Sequence, residues 1–282
     1  MNTYGIVSFR LPQEVSLWEV EQIAALGVDI RTGVTVGKDV SAGRLLDDYD
    51  AVVLAAGMGL VPRLGIEGEE LAGVYDAIEL VESTKRWRPS VPMLGSRVAV
   101  IGAGNTAIDA ATCSLRLGAE NVKIVYRRTR EEMTAYDFEF AFAKQEGVEF
   151  QWLTAPKRIV GDKNGCVTHL ECVRVRLSEA GADGRRLPVP VEGSEFRMPV
   201  DAVVLAVGQK RHLPLIEAFG LAHERGVVTI NKETRQTSNP KVFAAGDIVF
   251  GAGGEAMVVS AAQEGKLAAR SIVRQFSPTA TH

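Results

Sequence analysis

The chain has 282 residues, of which 46% are hydrophobic and 24% are charged, and its formal net charge is −3. This balance is typical of a globular protein with one large or two ordinary domains, and it argues against a nucleic-acid surface or a polybasic membrane patch. No apolar run of about 18 residues predicts a membrane-spanning helix, and no signal-peptide pattern opens the chain, so a cytoplasmic location is expected.

Cysteine and histidine residues are few and scattered. The cysteines form no C-x-x-C pair, which argues against a disulfide-reductase dithiol, and reduced, mostly buried thiols are expected. A cubane iron–sulfur cluster normally needs four grouped thiolates, so none is expected within this chain. The histidines lie far apart and indicate no metal site. The residues concerned are Cys113, Cys166, Cys172, His169, His212, His223 and His282.

The first part of the chain alternates helix and strand signals. Residues 13–26 place apolar side chains at near-helical spacing before Gly27, which predicts a helix. Residues 27–37 alternate apolar and polar positions and predict a strand, and residues 40–46 are compatible with a short helix. The apolar run DAVVLAAG at 50–57 predicts a parallel strand covered on both faces, ending in a glycine that allows a tight exit.

A compact β-α-β unit follows a connector at 82–96, which is charged and then broken by proline. The apolar run at 96–104 predicts a buried strand, residues 105–118 predict an alanine-rich helix, and residues 121–128 predict a second strand. A further helix is expected at about 130–146.

The second half of the chain changes to an antiparallel pattern and then returns to the earlier strand type. Residues 156–200 alternate in polarity, with turn signals at 162–165 and 183–184, and predict a β-meander. DAVVLAVG at 201–208 repeats the earlier strand in seven of its eight letters and closes this unit. Short strands at 227–230 and 242–247 and a long helix at 256–276 complete the predicted elements.

The strongest motif is VAVIGAGNTAIDAA, which contains G-x-G-x-x-A after a buried strand and at the start of a helix. Gly102 permits the tight turn and Gly104 a close approach to a pyrophosphate, and Ala107 allows close helix–strand packing. Amides near Asn105 and Thr106 would face the phosphates, aided by the positive helix end. The alternative is an ordinary tight turn between strand and helix.

The end of the second strand indicates which dinucleotide is bound. An NAD site usually places a carboxylate there for the ribose 2′-hydroxyl, whereas this chain has Arg127 and Arg128, with Arg130 beyond. Guanidinium groups match a 2′-phosphate, so NADP(H) is preferred over NAD(H). The alternative is a solvated basic turn. Gly208, at the end of the repeated strand, is expected beside the bound nucleotide.

A third signal, TSNPKVFAAGD followed by GGEAMVVSAAQEG, indicates a flavin site. It places Gly246 and Asp247 after a strand and before a helix. Asp247 can accept hydrogen bonds from a ribityl hydroxyl, and the helix start near Ala256 and Met257 can face the flavin N1/C2 edge, where negative charge grows on reduction. The same arrangement also occurs as plain structure, and for Met257 a core position is preferred over contact with the flavin.

Several of these stretches together carry a family resemblance. They are NTYGIVSFRLP (2–12), DAVVLAAGMGLVPRLGIEG (50–68), VAVIGAGNTAIDAA (98–111), VYRRTREEM (125–133), DAVVLAVGQ (201–209) and NPKVFAAGDI (239–248). In this order the chain resembles the two-dinucleotide flavoprotein reductases, in particular the small (β) subunit of glutamate synthase, with the flavin–NADPH segment of dihydropyrimidine dehydrogenase as a near relative.

The resemblance implies an α/β fold of two nested Rossmann-like domains in three layers. An FAD domain, residues 1–90 and 210–282, is interrupted by an NADPH domain, residues 91–209, which contains the meander. It further implies that Gly102, Gly104, Arg127 and Arg128 bind NADPH and that Gly246 and Asp247 bind FAD.

The chain departs from the family pattern at its N-terminal side. The family begins with an iron–sulfur region and a first βαβ unit whose G-x-G-x-x-G binds the FAD pyrophosphate, and this chain shows no such fingerprint. The FAD site is therefore expected to be incomplete, with apolar faces of neighbouring strands exposed. A truncated sequence, a first half supplied by another polypeptide and a rearranged domain remain open.

The sequence thus predicts an NADPH-dependent FAD oxidoreductase, or the greater part of one. The cofactors perform the chemistry, so no catalytic side chain is assigned. The resemblance implies an iron–sulfur partner domain or large subunit, and a homo-oligomer is compatible with it. The alternative is a non-catalytic NADP(H)-binding module that needs another polypeptide to complete its FAD site.

Overall fold

The computed structural model describes residues 2–59, 61–86, 93–181, 184, 186–251 and 256–277. The chain divides into two compact units. The first unit comprises Met1–Ile23 and Leu60–Gly208, and the second comprises Ala24–Gly59 and Gln209–His282. The division of the chain into an FAD domain and an NADPH domain, which assigns a ligand to each part, stays a prediction.

Within the described ranges the helices and strands have the following bounds. The helices are Gln13–Ala25 (α1), Ala42–Asp48 (α2), Ala77–Lys85 (α3), Asn105–Arg116 (α4), Asp137–Gln145 (α5), Leu213–Ala218 (α6) and Val258–Phe276 (α7). The strands are Val52–Leu54 (β1), Val74–Asp76 (β2), Arg97–Ile101 (β3), Asn121–Val125 (β4), Glu149–Gln151 (β5), Thr154–Gly161 (β6), Val167–Ala180 (β7), Arg186–Pro199 (β8), Ala202–Leu205 (β9), His223–Glu224 (β10), Val227–Val228 (β11) and Val242–Ala244 (β12). No helix among the described residues has the length and apolar character needed to span a membrane.

The first unit is built on a parallel five-stranded sheet in the order β2-β9-β3-β4-β5. Strand β3 is central, and its last residue, Ile101, is in register with Val125 of β4 and Leu205 of β9. The chain leaves β3 through α4 toward β4 on one side, while β9 returns on the other side. The strand order therefore reverses at β3, and the crevice outside the carboxyl ends of β3 and β9 is where such sheets bind ligands.

Alternate residues of this sheet face two different apolar layers. Val98 and Val100 of β3 pack with α4, whereas Ala99 and Ile101 pack with the three-stranded antiparallel sheet β6-β7-β8. Strand β9 is buried along its whole length because it has a strand on each side and a layer on each face. The predicted α/β class, three layers and antiparallel meander are confirmed.

The turn between β6 and β7 lies at the predicted position. The Asp162 carboxylate accepts hydrogen bonds from the amides of Asn164 at 2.8 Å and Cys166 at 2.9 Å. These backbone hydrogen bonds lower the pKa of Asp162, because they stabilise its ionised form. The second predicted turn, at 183–184, falls mostly outside the described residues.

Two predictions of secondary structure need correction. Residues 27–37 form no strand, and only an isolated bridge joins Val36 to Val40. Val28, Ile30 and Val34 lie about half exposed there, because no described strand pairs with this segment.

The helix predicted from about residue 130 is also interrupted at its start. A short 3₁₀ turn at 130–132 precedes α5, which begins only at Asp137. Between them the Ala135 amide donates to the Ala103 carbonyl at 3.1 Å, which draws the backbone onto the glycine loop instead of into a helix.

The second unit contains much less sheet. Strands β1 and β12 form a parallel pair, and β10 and β11 form an antiparallel pair. Its core gathers Leu54, Ile216, Phe219, Val242 and Ile248. The predicted helix α1 is present and lies in the first unit except for its last two residues. Among the described residues, Trp18 of this helix is 59% exposed and Leu26, just beyond the helix end, is 79% exposed.

Candidate functional site

A cavity of about 580 Å³ opens at the carboxyl edge of the five-stranded sheet in the first unit. Its floor is formed by the residues that follow β3, β4 and β9, and its walls by residues 63–66 and the start of β6. Arg63 and Arg127 contribute to its lining, and among the described lining residues there is no aspartate or glutamate. The cavity therefore has the charge and the sheet position expected for an anionic nucleotide.

Gly102 is held in place by the sheet itself. Its φ of +132° is unfavourable for other residues, and a Cβ at this position would overlap the Ala206 carbonyl oxygen at the end of β9. The Gly102 amide donates to Val125 at 3.1 Å, and the Ala206 amide donates to Ile101 at 2.8 Å. Three strand ends are thereby tied together at the cavity floor.

The start of α4 presents its backbone at the same place. Gly104 is the N-cap residue and provides no side-chain cap, and Gly104 and Thr106 both line the cavity. Ala107 is fully buried against the sheet, which allows the close helix–strand packing predicted from the motif. Asn105 does not line the cavity, and its Oδ1 accepts from the Tyr136 amide at 3.2 Å, which ties the helix start to the N-cap of α5.

The three arginines after β4 have different surroundings. Arg127 is exposed and lines the cavity. Arg128 does not line it, and its buried Nε has no hydrogen-bond partner within the described part of the chain. Arg130 forms an ion pair with Asp137 and lies 4.5 Å from the centre of the Phe140 ring. The structure thus brings Arg127 to the cavity together with Gly102, Gly104, Thr106 and Gly208.

Residues 129–136, which reach the rim of the cavity through Thr134, are fixed by a set of local hydrogen bonds. The Thr129 hydroxyl and amide donate to the Glu132 carboxylate, and the Tyr126 hydroxyl donates to the Glu132 carbonyl at 2.8 Å. The Thr129 hydroxyl, together with the Thr129 amide and Arg186, lowers the pKa of Glu132. This rim holds Thr134 against the cavity, with its Oγ1 3.3 Å from the position of a Cβ on Gly104.

Three further side chains that line the cavity were not predicted from the sequence: Arg63, Thr134 and Tyr126. Arg63 lies inside the stretch 50–68 that carries the family resemblance. Its distance in sequence from the glycine motif does not predict a role in binding. Thr134 lies in a segment that the helical pattern assigned to a helix. Tyr126 stands beside the basic pair, and aromatic residues at a strand end are common without any ligand.

The second unit holds the residues predicted for flavin. Gly246 follows β12, and a Cβ added at this glycine would lie 3.5 Å from the Ala261 Cβ of α7. Burial raises the pKa of Asp247, and the charge of Arg211 opposes this shift. The Arg211 guanidinium donates to the carbonyls of Asp247 at 2.6 Å and Phe250 at 2.7 Å. The Asp247 side chain is thus half-buried on a braced loop.

Helix α7 begins close to this loop without a side-chain cap. Met257 is its N-cap residue, half-buried, and Ala256 before it is exposed. The helix is fixed further along by an ion pair between Arg235 and Glu264, with 2.7 Å between nitrogen and oxygen and both side chains largely buried. The backbone amides at the start of a helix have the polarity that a negatively charged ring edge needs.

No set of three or more metal-ligating side chains is grouped within the described ranges.

The chain is similar in sequence to several known proteins. The family model of pyridine nucleotide-disulphide oxidoreductases matches residues 19–265. The chain is 41% identical over 275 residues to the NADP(+)-dependent formate dehydrogenase subunit beta of Moorella thermoacetica, covering 96% of this chain and 38% of that protein. It is 38% identical over 285 residues to the glutamate synthase [NADPH] small chain of Escherichia coli (strain K12), covering 96% of this chain and 60% of that protein. The chain thus spans about two fifths to three fifths of the length of these relatives.

Among solved structures, the fold matches that of FprA from Mycobacterium tuberculosis in complex with NADPH. The TM-score is 0.70 at 21% sequence identity, and the match covers 98% of this chain and 75% of that one. The resemblance to the glutamate synthase small subunit that the sequence motifs indicated is confirmed by the sequence matches.

Proposed function

The chain belongs to the pyridine nucleotide-disulphide oxidoreductase family, and from this we propose that it is the electron-input part of an NADPH-dependent FAD oxidoreductase. In this proposal the enzyme is of the glutamate synthase small-subunit type or the dihydropyrimidine dehydrogenase type. The observation that carries the proposal is the cavity of the first unit, where a glycine loop, a helix start and Arg127 meet without any acidic lining residue among those described.

The residues of the first unit fit NADPH in the following way. The backbone of Gly102 and Gly104 leaves room for a pyrophosphate, and the start of α4 with Thr106 offers donors to it. Arg127, exposed at the tip of β4, would bind the 2′-phosphate as a charged fork. Arg128 and Asn105 would support this site from outside the cavity, Asn105 through its bond to Tyr136. Gly208 would lie beside the nicotinamide half.

The residues of the second unit fit part of an FAD site. Asp247 would accept hydrogen bonds from the ribityl chain, and Gly246 would let that chain approach the backbone. The start of α7 at Ala256 and Met257 would place amide donors near the flavin ring. The bound cofactors supply hydride transfer, and the protein's contribution is to hold them and exclude water.

A partner is part of the proposal. The relatives are called subunit beta and small chain, which supports assembly with a second subunit. The exposed apolar side chains Leu26, Val28 and Ile30 of the second unit support a segment that covers this part of the predicted FAD domain. We propose that the covering partner belongs to an iron–sulfur protein or domain that receives the electrons, and a homo-oligomer is the alternative assembly.

A second function rests on the small sheet of the second unit. A two-stranded parallel pair with half-exposed neighbours is marginal on its own, and an FAD site built on it needs further support. This favours, as an alternative, an NADP(H)-binding module without turnover of its own.

The absorbance spectrum of the purified full chain separates these two functions. The reductase proposal expects bound flavin, or flavin uptake when FAD is added, together with NADPH-dependent reduction of ferricyanide. The module alternative expects a colourless chain that binds NADPH and takes up no flavin. A chain that binds neither NADPH nor flavin contradicts both, and an Asp247→Ala chain that takes up flavin as well as wild type contradicts the assignment of that residue.

A further inference from the structure

The wall of the NADPH cavity that contains Arg63 is braced by a buried acidic residue. Glu69 is only 7% exposed, and its carboxylate accepts from the amides of Leu64 at 3.0 Å and Ile66 at 2.8 Å. The Arg63 Nη1 donates to the Glu69 carbonyl at 2.6 Å. A buried carboxylate is tolerated only when it is hydrogen-bonded, so these bonds hold residues 63–69 in one conformation.

Both ends of this wall are tied to the sheets of the first unit. The Val61 amide donates to the Asp76 carboxylate at 2.9 Å, and Asp76 ends strand β2 and caps α3. At the other end, the Ile159 amide of β6 donates to the Glu67 carbonyl at 2.8 Å. The segment is therefore a fixed wall, with Arg63 standing between its two anchors.

The positive charge of Arg63 suggests that this wall binds a ligand in addition to shaping the cavity. The Arg63 residue is exposed, and one of its guanidinium nitrogens is bound to the loop, which leaves the planar group other donors to offer a ligand. Arg63 and Arg127 line one cavity with no acidic lining residue among those described. Both guanidinium groups carry a positive charge, so each of them attracts an anion that enters the cavity.

NADPH carries two anionic groups, a pyrophosphate and a 2′-phosphate. The glycine loop and the start of α4 give the pyrophosphate partial charges only, and Arg127 is already assigned to the 2′-phosphate. The anchor of the wall at Asp76 lies at the carboxyl end of β2. In the order β2-β9-β3-β4-β5 that end is nearer to β3 and its glycine loop than to β4 and Arg127.

We infer that Arg63 binds the pyrophosphate of the nicotinamide dinucleotide, as the one fully charged group that acts with the glycine loop. This inference rests on the proposed binding of NADPH in this cavity and adds a residue to it. Arg63 then increases the affinity for any dinucleotide, whereas Arg127 determines the selectivity for NADPH over NADH.

The test compares four full-length chains, wild type, Arg63→Ala, Arg63→Lys and Arg127→Ala, in titrations with NADPH, NADH and ADP-ribose. ADP-ribose has the pyrophosphate and lacks both nicotinamide and 2′-phosphate. Arg63→Ala should raise the Kd of all three ligands by about tenfold to a hundredfold, the usual size of a lost hydrogen bond to a charged group. Arg63→Lys should recover part of the affinity, because the charge is retained. Arg127→Ala should weaken NADPH alone.

Arg197→Ala is the matched control, since Arg197 is an exposed arginine of the same unit that bonds Glu171 and does not line the cavity. It should bind all three ligands like wild type. Equal binding by Arg63→Ala and wild type would overturn the inference and leave the proposed function standing. Loss of NADPH affinity alone would also overturn it, because Arg63 would then read the 2′-phosphate. A wild-type chain that binds none of the ligands would overturn the proposed function itself.

Discussion

Two copies of almost the same eight letters end up in very different surroundings. DAVVLAVG forms β9, whose four residues are all buried between β2 and β3. DAVVLAAG forms β1, which pairs only with β12 and leaves Val53 40% exposed, while the corresponding Val204 is fully buried. The local sequence therefore determines that the segment forms a strand, whereas the neighbouring strands and layers determine how much of its apolar surface is buried.

The same contrast extends to the two units. In the first, a helical layer and a meander cover both faces of the sheet, and a cavity opens at its carboxyl edge. In the second, the described residues include Val28, Ile30 and Val34, which stay about half exposed. The four predictions below test whether the first unit is the better-built nucleotide site.

The largest effect is expected from Gly102→Ala. The added methyl group would overlap the Ala206 carbonyl and force a residue with a side chain into φ +132°, so the ends of β3 and β9 must move apart. We expect a loss of about 3–5 kcal/mol in the free energy of unfolding and loss of NADPH binding. Urea unfolding followed by circular dichroism, with an NADPH titration, measures both.

Gly208→Ala is the control for the backbone part of that effect. Gly208 also has a positive φ, +98°, but a Cβ added at this position would have no described atom within 4 Å. The substitution should cost only about 1–2 kcal/mol. Equal destabilisation by the two substitutions would show that the overlap with Ala206 has no role.

The second prediction compares the two strand copies directly. Val204→Ala removes two methyl groups from a fully buried site and should lower the unfolding free energy by about 2–3 kcal/mol. Val53→Ala acts on a site that is 40% exposed and should cost less than about 1 kcal/mol. Urea unfolding of both variants measures the difference, and a larger cost at Val53 would mean that β1 is covered in solution.

The third prediction separates the two cofactors. Arg127→Ala should raise the Kd of NADPH about tenfold to a hundredfold and leave that of NADH within about twofold, because only NADPH carries the 2′-phosphate. The flavin content of the preparation should stay unchanged, since the residues proposed for FAD lie in the second unit. An equal loss for both nucleotides would contradict the 2′-phosphate assignment and favour a general role in binding.

The smallest effect concerns the thiols, all of which lie in the first unit. Burial raises the pKa of Cys172 to about 12 from an ordinary value of about 9. The folded state thus favours the protonated thiol, and the stability it contributes, full below pH 9, should be lost as the pH rises toward 12. Stability measured between pH 8 and 11 should fall less in Cys172→Ala than in wild type.

A thiol-reactive dye checks the burial that underlies this shift. In the native chain we expect one fast-reacting cysteine, Cys166, because Cys113 and Cys172 are buried. In urea, labelling of the two buried thiols reports unfolding of the first unit alone. Fast native labelling of all three thiols would contradict the structure.

Much of the first unit could be predicted from the sequence because its signals are local. An apolar run, two glycines and an alanine-rich segment together predict a strand, a tight turn and a helix, and they lie at β3 and α4. Arg127 could be chosen because it follows the next strand, and carboxyl ends of parallel strands share one edge. The strand predicted at 27–37 was wrong. Alternating apolar and polar residues indicate only that a segment can pair with a neighbouring strand, and this segment has no described partner strand.

The amino-acid sequence by itself determined the β3–α4–β4 unit, its glycine fingerprint and the repeated strand, since each depends on residues near one another in the chain. The tertiary structure decided the rest: that β9 is buried and β1 is not, that Asn105 bonds Tyr136 outside the cavity, and that Arg63 lines it. Arg63 lies far from the glycine motif in sequence, and hydrogen bonds that tie its segment to Asp76 of β2 and Ile159 of β6 bring it to the cavity. Burial and cavity walls depend on which strands become neighbours, and that is a property of the whole sheet.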